Sequence, residues 1–169
     1  MKLKFFACCA ALAASSSMLF CAPADAVAPA ADTATLDAVA GKTACRASAI
    51  NGQPGKSGEL CVTQGSFAHD IYEVRIDGVS VVKGIDDATT AGIASTYHGQ
   101  PVRLTCTPVL SKPDNVTDAQ IESMRFANPQ GTREQLISLY ETLNTVETGR
   151  HCSITDNAAE WFAVDVRFE

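Results

Sequence analysis

Tyr72-Glu73-Val74-Arg75-Ile76-Asp77-Gly78-Val79-Ser80-Val81-Val82-Lys83 is the stretch from which the fold is read. Two alternating runs flank Asp77-Gly78, a pair that tolerates the positive φ needed at both centres of a type I′ turn, so these residues spell a tight β-hairpin. A two-residue turn sets the register: Ile76 faces Val79, Val74 faces Val81 and Tyr72 faces Lys83. One apolar stripe then points to a core, while Glu73, Arg75 and Ser80 lie on the other face.

Working outward, Glu59 to Thr63 is a short apolar strand that follows turn-forming Asn51-Gly52-Gln53-Pro54-Gly55-Lys56-Ser57-Gly58. Downstream, Gly84 breaks the hairpin, and Asp86 or Asp87 caps a short helix running through about Ser95. His98-Gly99-Gln100-Pro101 turns the chain into the alternating strand Val102-Arg103-Leu104-Thr105-Cys106. Two helices follow, each opened by a capping box. Thr117-Asp118-Ala119-Gln120 has Val116 and Ile121 placed as a hydrophobic staple, with Ile121, Met124 and Ala127 facing inward until Asn128-Pro129. Thr132-Arg133-Glu134-Gln135 starts the second, whose apolar positions Leu136, Leu139, Tyr140, Leu143 and Val146 continue to Gly149. The final segment, Trp161 to Phe168, alternates with Phe162, Val164, Val166 and Phe168 on one side, a strand inside the sheet. Strands before long helices with a strand to finish predict an α+β fold: an antiparallel sheet containing the hairpin, packed against two or three helices.

The amino terminus is read apart from this domain. Met1-Lys2-Leu3-Lys4 is a positive start, Phe5 to Leu19 is mainly apolar, and Ala24-Asp25-Ala26 carries small residues where a signal peptidase reads, so residues 1–26 are expected to be a secretory signal cleaved after Ala26. A lipoprotein at Cys21 is the rival, disfavoured by the large Phe20 before it. Residues 27–43, rich in Ala, Thr, Asp and Pro, are expected to be a flexible leader with one short helix around Thr35 to Ala40, and residues 44–169 a single globular domain.

Removing residues 1–26 changes the chemistry of the chain. Of 169 residues, 46% are hydrophobic and 19% charged, which suits a folded domain and excludes disorder. Two lysines, one aspartate and three cysteines leave with the signal, so the net charge of −6 becomes −7 and seven cysteines become four: Cys45, Cys61, Cys106 and Cys152. An even set in an exported chain reads as two disulfides; the pairs favoured are Cys45–Cys61 and Cys106–Cys152, with loop-closure terms of about 3 and about 4 kcal/mol. The spacings lack the paired knuckles of a zinc site and the redox pattern C-x-x-C.

No local motif assigns a catalytic residue, metal ligand or cofactor. Gly55-Lys56-Ser57 is not a P-loop, because Ile50 stands where its first glycine belongs. His69, His98 and His151 stand outside any H-E-x-x-H or H-x-H pattern, and no G-x-S-x-G is present. The acidic balance argues against a sequence-independent grip on nucleic acid and favours a cationic partner; no segment predicts stable membrane insertion once the signal is removed. The function expected is therefore a periplasmic or secreted non-enzymatic protein-binding module, such as an inhibitor or immunity-type protein against a basic envelope-acting enzyme or toxin. Its candidate docking residues are Asp70, Glu73, Asp86, Asp87, Tyr97 and His98, with Glu59 and Asp118 as further exposed acids. The alternatives are a hydrolase of envelope polymers using Asp86 or Asp87 with a histidine, and a surface structural or adhesive component.

Overall fold

Asp77 and Gly78 adopt φ of 49° and 80°, so both turn positions are left-handed and the hairpin closes as its sequence demands. In the computed structural model, which describes residues 33–157 and 159–169, this hairpin is one of several around a shared core. The strands are β1 (Ala34–Ala38), β2 (Thr43–Ala49), β3 (Ser57–Thr63), β4 (Ile71–Ile76), β5 (Val79–Ile85), β6 (Ile93–Tyr97), β7 (Gln100–Ser111), β8 (Val146–Thr155) and β9 (Glu160–Phe168). The helices are α1 (Asp86–Ala91), α2 (Asp118–Ser123) and α3 (Arg133–Leu143).

The expected α+β fold with helices packed on one sheet is overturned. Two sheets, ordered β2-β3-β4-β5 and β1-β9-β8-β7-β6, cover each other instead. Leu60, Val62, Tyr72, Val74 and Ile76 from the first meet Leu104, Ile154, Phe162, Val164 and Val166 from the second in a single core. Each sheet's apolar face is thus already covered by the other, which leaves no open face for helices. Helices α2 and α3 form a separate hairpin between β7 and β8 and contribute nothing to that core. They bury Ile121 and Leu136, and Gln120 Nε2 donates to the Tyr140 hydroxyl at 2.6 Å. Both capping boxes form as read, at Thr117–Gln120 and Thr132–Gln135.

Several local expectations shift for identifiable reasons. Past the hairpin turn, Val74 pairs with Val82 and Tyr72 with Gly84, because a bulge inserts Val81; Val82 takes the buried place expected for Val81. Helix α1 ends at Ala91 rather than near Ser95, terminated by Gly92 at φ 88°, and its N-cap is Ile85, with Asp86 and Asp87 in the first turn, where they favour the helix dipole. Helix α2 gives way at Met124 to a 3-10 turn, so Ala127 is exposed. Helix α3 stops at Leu143, and Val146 opens β8. The signal at 1–26 lies outside the described residues. Within 27–43, where a leader with a short helix was expected, Ala34–Ala38 is a strand parallel to β9, with Leu36 and Ala38 buried.

Both expected disulfides form between residues directly opposite on antiparallel neighbours, one in each sheet. Cys106–Cys152 faces the core, whereas Cys45 is exposed on the outer face of its sheet. Two disulfides fit an oxidising, extracellular-type compartment. Among the described residues no helix is long and apolar enough to cross a membrane.

Candidate functional site

Strand direction gives the molecule two distinct ends. At one lie the β2–β3, β4–β5, β6–β7 and β8–β9 turns; at the other lie the loop 64–70, α1, the start of β8 and the α2–α3 hairpin.

The second end is organised by Arg150. Alternation in β8 puts Arg150 on the same face as the core residues Cys152 and Ile154, so a cation enters the sandwich at its rim and is 7% exposed. Its charge is held by acceptors from β8 and α1. Nε and Nη2 donate to the Glu147 carboxylate at 2.5 and 3.3 Å, and Nη1 donates to the Asp86 carbonyl at 2.9 Å and the buried Thr89 hydroxyl at 3.1 Å. Burial works against the Arg150 charge, but Glu147, Tyr72 and Asp86 hold its pKa above the ordinary value. The guanidinium lies 5.9 Å from the centre of the Tyr72 ring. Burial pushes the Tyr72 phenol far up, and its hydroxyl has no hydrogen-bond partner among the described residues.

Above this plug, α1 and the loop 64–70 bring three predicted docking residues together. Asp70 Oδ1 accepts from the Gly65 amide at 2.9 Å, which closes the loop, and its own carbonyl accepts from the Asp86 amide at 3.0 Å. A Cβ at Gly65 would lie 2.3 Å from the Ala68 carbonyl oxygen, so the loop needs glycine there. Burial raises the Asp70 pKa, and the nearby Asp86 carboxylate adds to the rise against the opposing Gly65 hydrogen bond. His69 Nδ1 sits 2.9 Å from Asp86 Oδ1 and 3.8 Å from Asp87 Oδ2. At the tip of the same loop Phe67 is fully exposed.

The other predicted residues lie elsewhere. Glu73 sits on the outer face of the first sheet, where Arg75 donates to it at 3.0 and 3.3 Å and holds its carboxyl below the usual range. Tyr97 and His98 are at the opposite end, their rings edge-to-face at 4.2 Å. There they line an open cavity of about 530 Å³ together with the turn around Gln53 and the start of β9. Of the further acids, Glu59 lies 3.8 Å from Arg75, and Asp118 is paired with Arg133 at 2.6 Å.

His69, Asp86 and Asp87 offer ligand atoms within 4.8 Å of one another, the spacing a divalent cation would need. Cys45, Glu59 and Cys61 are equally close, but a disulfide removes both thiolates. The imidazole–carboxylate pair recurs at His151–Asp165, 2.7 Å apart and directly cross-strand, so such a pair also arises from sheet register alone. Sequence reasoning missed Arg150 and Phe67. The signal for Arg150 was its parity with Cys152 and Ile154; that for Phe67 was a lone aromatic among the small residues Gly65, Ser66 and Ala68.

No protein-family description, curated protein or solved structure matches this chain.

Proposed function

We propose that the protein is an exported, periplasmic or secreted, non-enzymatic binding module of inhibitor type, which docks a basic protein partner through the loop 64–70 and α1. The observation that carries this reading is Phe67. A fully exposed aromatic side chain stands on a loop braced by Asp70, beside acidic residues, of which Asp87 is 76% exposed at its side chain. Aromatic anchors that enter a partner's pocket supply much of the energy of such interfaces, and a loop already held in shape loses less entropy on docking. The neighbouring carboxylates steer a cationic surface toward it and set orientation more than affinity.

Tagged full-length chain, its Phe67→Ala variant and its Asp87→Asn variant are used side by side to capture partners from envelope and culture-supernatant extracts. Wild type should retain a basic protein at low salt and less of it at raised salt; Phe67→Ala should lose it, and Asp87→Asn should slow its association. The proposal fails if no basic protein is retained at low salt, or if Phe67→Ala retains it as well as wild type.

Hydrolysis of an envelope polymer is a second reading, supported by the 2.9 Å His69–Asp86 pair. Asp86→Ala should then abolish turnover without a shift in melting temperature, and undiminished turnover would remove it.

A further inference from the structure

At the end remote from Phe67, three turns shape a cavity that the docking proposal does not use. Its construction is rigid. Gly52 and Gly55 at φ 73° and 83°, and His98 and Gly99 at φ 50° and 77°, lock the two hairpin turns in left-handed conformations. The Asn51 amide nitrogen donates to the Trp161 carbonyl at 2.8 Å, tying the turn of one sheet to a strand of the other. Trp161 is the unpaired residue of a bulge in β9, which re-aims its indole toward this end, and its Nε1 donates to Asp156 Oδ2 at 3.1 Å.

From this geometry we infer that the cavity binds a short neutral oligosaccharide. Four observations select that class. The volume of about 530 Å³ falls in the range of small-molecule sites, roughly 300–1,000 Å³, and the mouth is open, as a segment of a chain polymer requires. The polar lining carries three primary amides, of Asn51, Gln53 and Gln100, of which Asn51 already donates Nδ2 to the Glu160 carbonyl at 3.3 Å. Each amide both donates and accepts, which matches hydroxyl groups that do the same and matches neither a bare anion nor a bare cation. Among the described lining residues the formal charges of Lys56 and Asp156 cancel, so the site has no net formal charge with which to select an ionic ligand. Tyr97 supplies an aromatic wall suited to the C–H face of a sugar ring; the Lys56 ammonium, 5.6 Å from its ring centre, currently lies over it.

The chain contains a single tryptophan, Trp161, so its fluorescence reports on this cavity. Full-length protein is titrated with chitotriose, cellotriose and maltotriose up to ~10 mM, in parallel with calorimetry. At least one should give a saturable signal that persists at raised salt. Affinity should fall at least about tenfold in Gln53→Ala and Tyr97→Ala and survive in Tyr97→Phe, which keeps the ring. Gln53 lies in a turn outside the strand ladders, so Gln53→Ala reports on binding even where Tyr97→Ala disturbs β6. Phe67→Ala should bind the sugar normally, which separates this test from that of the docking loop. The inference is overturned if none of the three sugars binds, if a charged oligogalacturonate binds and the neutral sugars do not, or if the folded Gln53→Ala protein binds as wild type does.

Discussion

The two ends of this sandwich are built from opposite uses of polar groups. At the Arg150 end a guanidinium is turned inward and its acceptors Glu147, Asp86 and Thr89 are drawn in around it, so charge is spent on closing the structure. At the turn end the amides of Asn51, Gln53 and Gln100 line an open cavity, and the backbone of the turns does the closing. The difference separates stability from recognition. Residues that hold the first end together are poor candidates for contacting a partner, and what that end can offer is the loop it supports. At the second end the polar side chains that line the cavity, such as Lys56 and Gln53, can be changed with little consequence for the fold, because the turn backbone and the buried residues beneath them hold it.

The strongest way to break this contrast is Arg150→Met. It keeps much of the side-chain length but strands Glu147 and Thr89, so unfolding free energy should fall by about 3–5 kcal/mol, while Lys56→Met at the other end should stay within about 0.5 kcal/mol. Equal effects in urea denaturation would erase the distinction. Next in size is Gly58→Ala. An added Cβ would lie 2.1 Å from the Phe162 ring of the facing sheet, and overpacking should cost about 1–3 kcal/mol. A neutral result would show that packing at the turn end is looser than the geometry indicates. Thr132→Ala removes the acceptor for the Gln135 amide at the start of α3 and should cost about 1 kcal/mol. Because α3 lies outside the core, the loss should appear as faster hydrogen exchange within α2 and α3, with protection of the β-strands retained.

The smallest effect sharpens the picture at the Arg150 end. Burial, aided by Asp86, holds the Asp70 carboxyl above its ordinary value of 3.8, so the folded chain binds that proton more tightly than the unfolded chain. The contribution is full below the ordinary value and is lost as pH rises through the raised one. Asp70→Asn keeps an acceptor for the Gly65 amide and should remove this downward component of stability, which sets in as pH rises above the ordinary carboxyl value, read from denaturation curves at a series of acid to neutral pH values. An unchanged difference between variant and wild type at all pH values would show that Asp70 is solvated in the folded state.

What was legible in the sequence was chemistry confined to a few neighbouring residues. Asp77-Gly78 announces its turn, Thr117–Gln120 and Thr132–Gln135 announce their helix starts, and four cysteines left after the expected signal announce two bridges. Long-range facts left weaker marks. Leu36 and Ala38 carry too little apolar character for β1 to stand out, and its pairing with β9 joins residues from opposite parts of the chain. In β8 the alternation is obscured because Gly149 is buried and Arg150 occupies an inward position. The site suffered most: Asp70, Asp86 and Asp87 were singled out as separate acids, and nothing local shows that α1 folds back over Asp70, or that Glu73 and Tyr97 lie apart from them. Helix content misled for a related reason, since a helix with one well-buried side chain, Leu136, reads in sequence much like one that covers a sheet.

The parallel pairing of β1 with β9 also orders events in time. Ala34 to Ala38 come first among the described strands, yet among the described residues their strand partner is Val164 to Phe168, in the last of those strands. The four-stranded sheet has all its pairings between consecutive strands and can assemble from local hairpins, whereas the five-stranded sheet must wait for the last segment to receive both β8 and β1. Contacts that span so much chain form slowly, and until they do Leu36 and Ala38 remain uncovered. Pairing of β9 is therefore expected to come late in folding, and a chain truncated before Trp161 should keep the hairpin sheet's local pairings while the second sheet lacks the strand that joins β8 to β1.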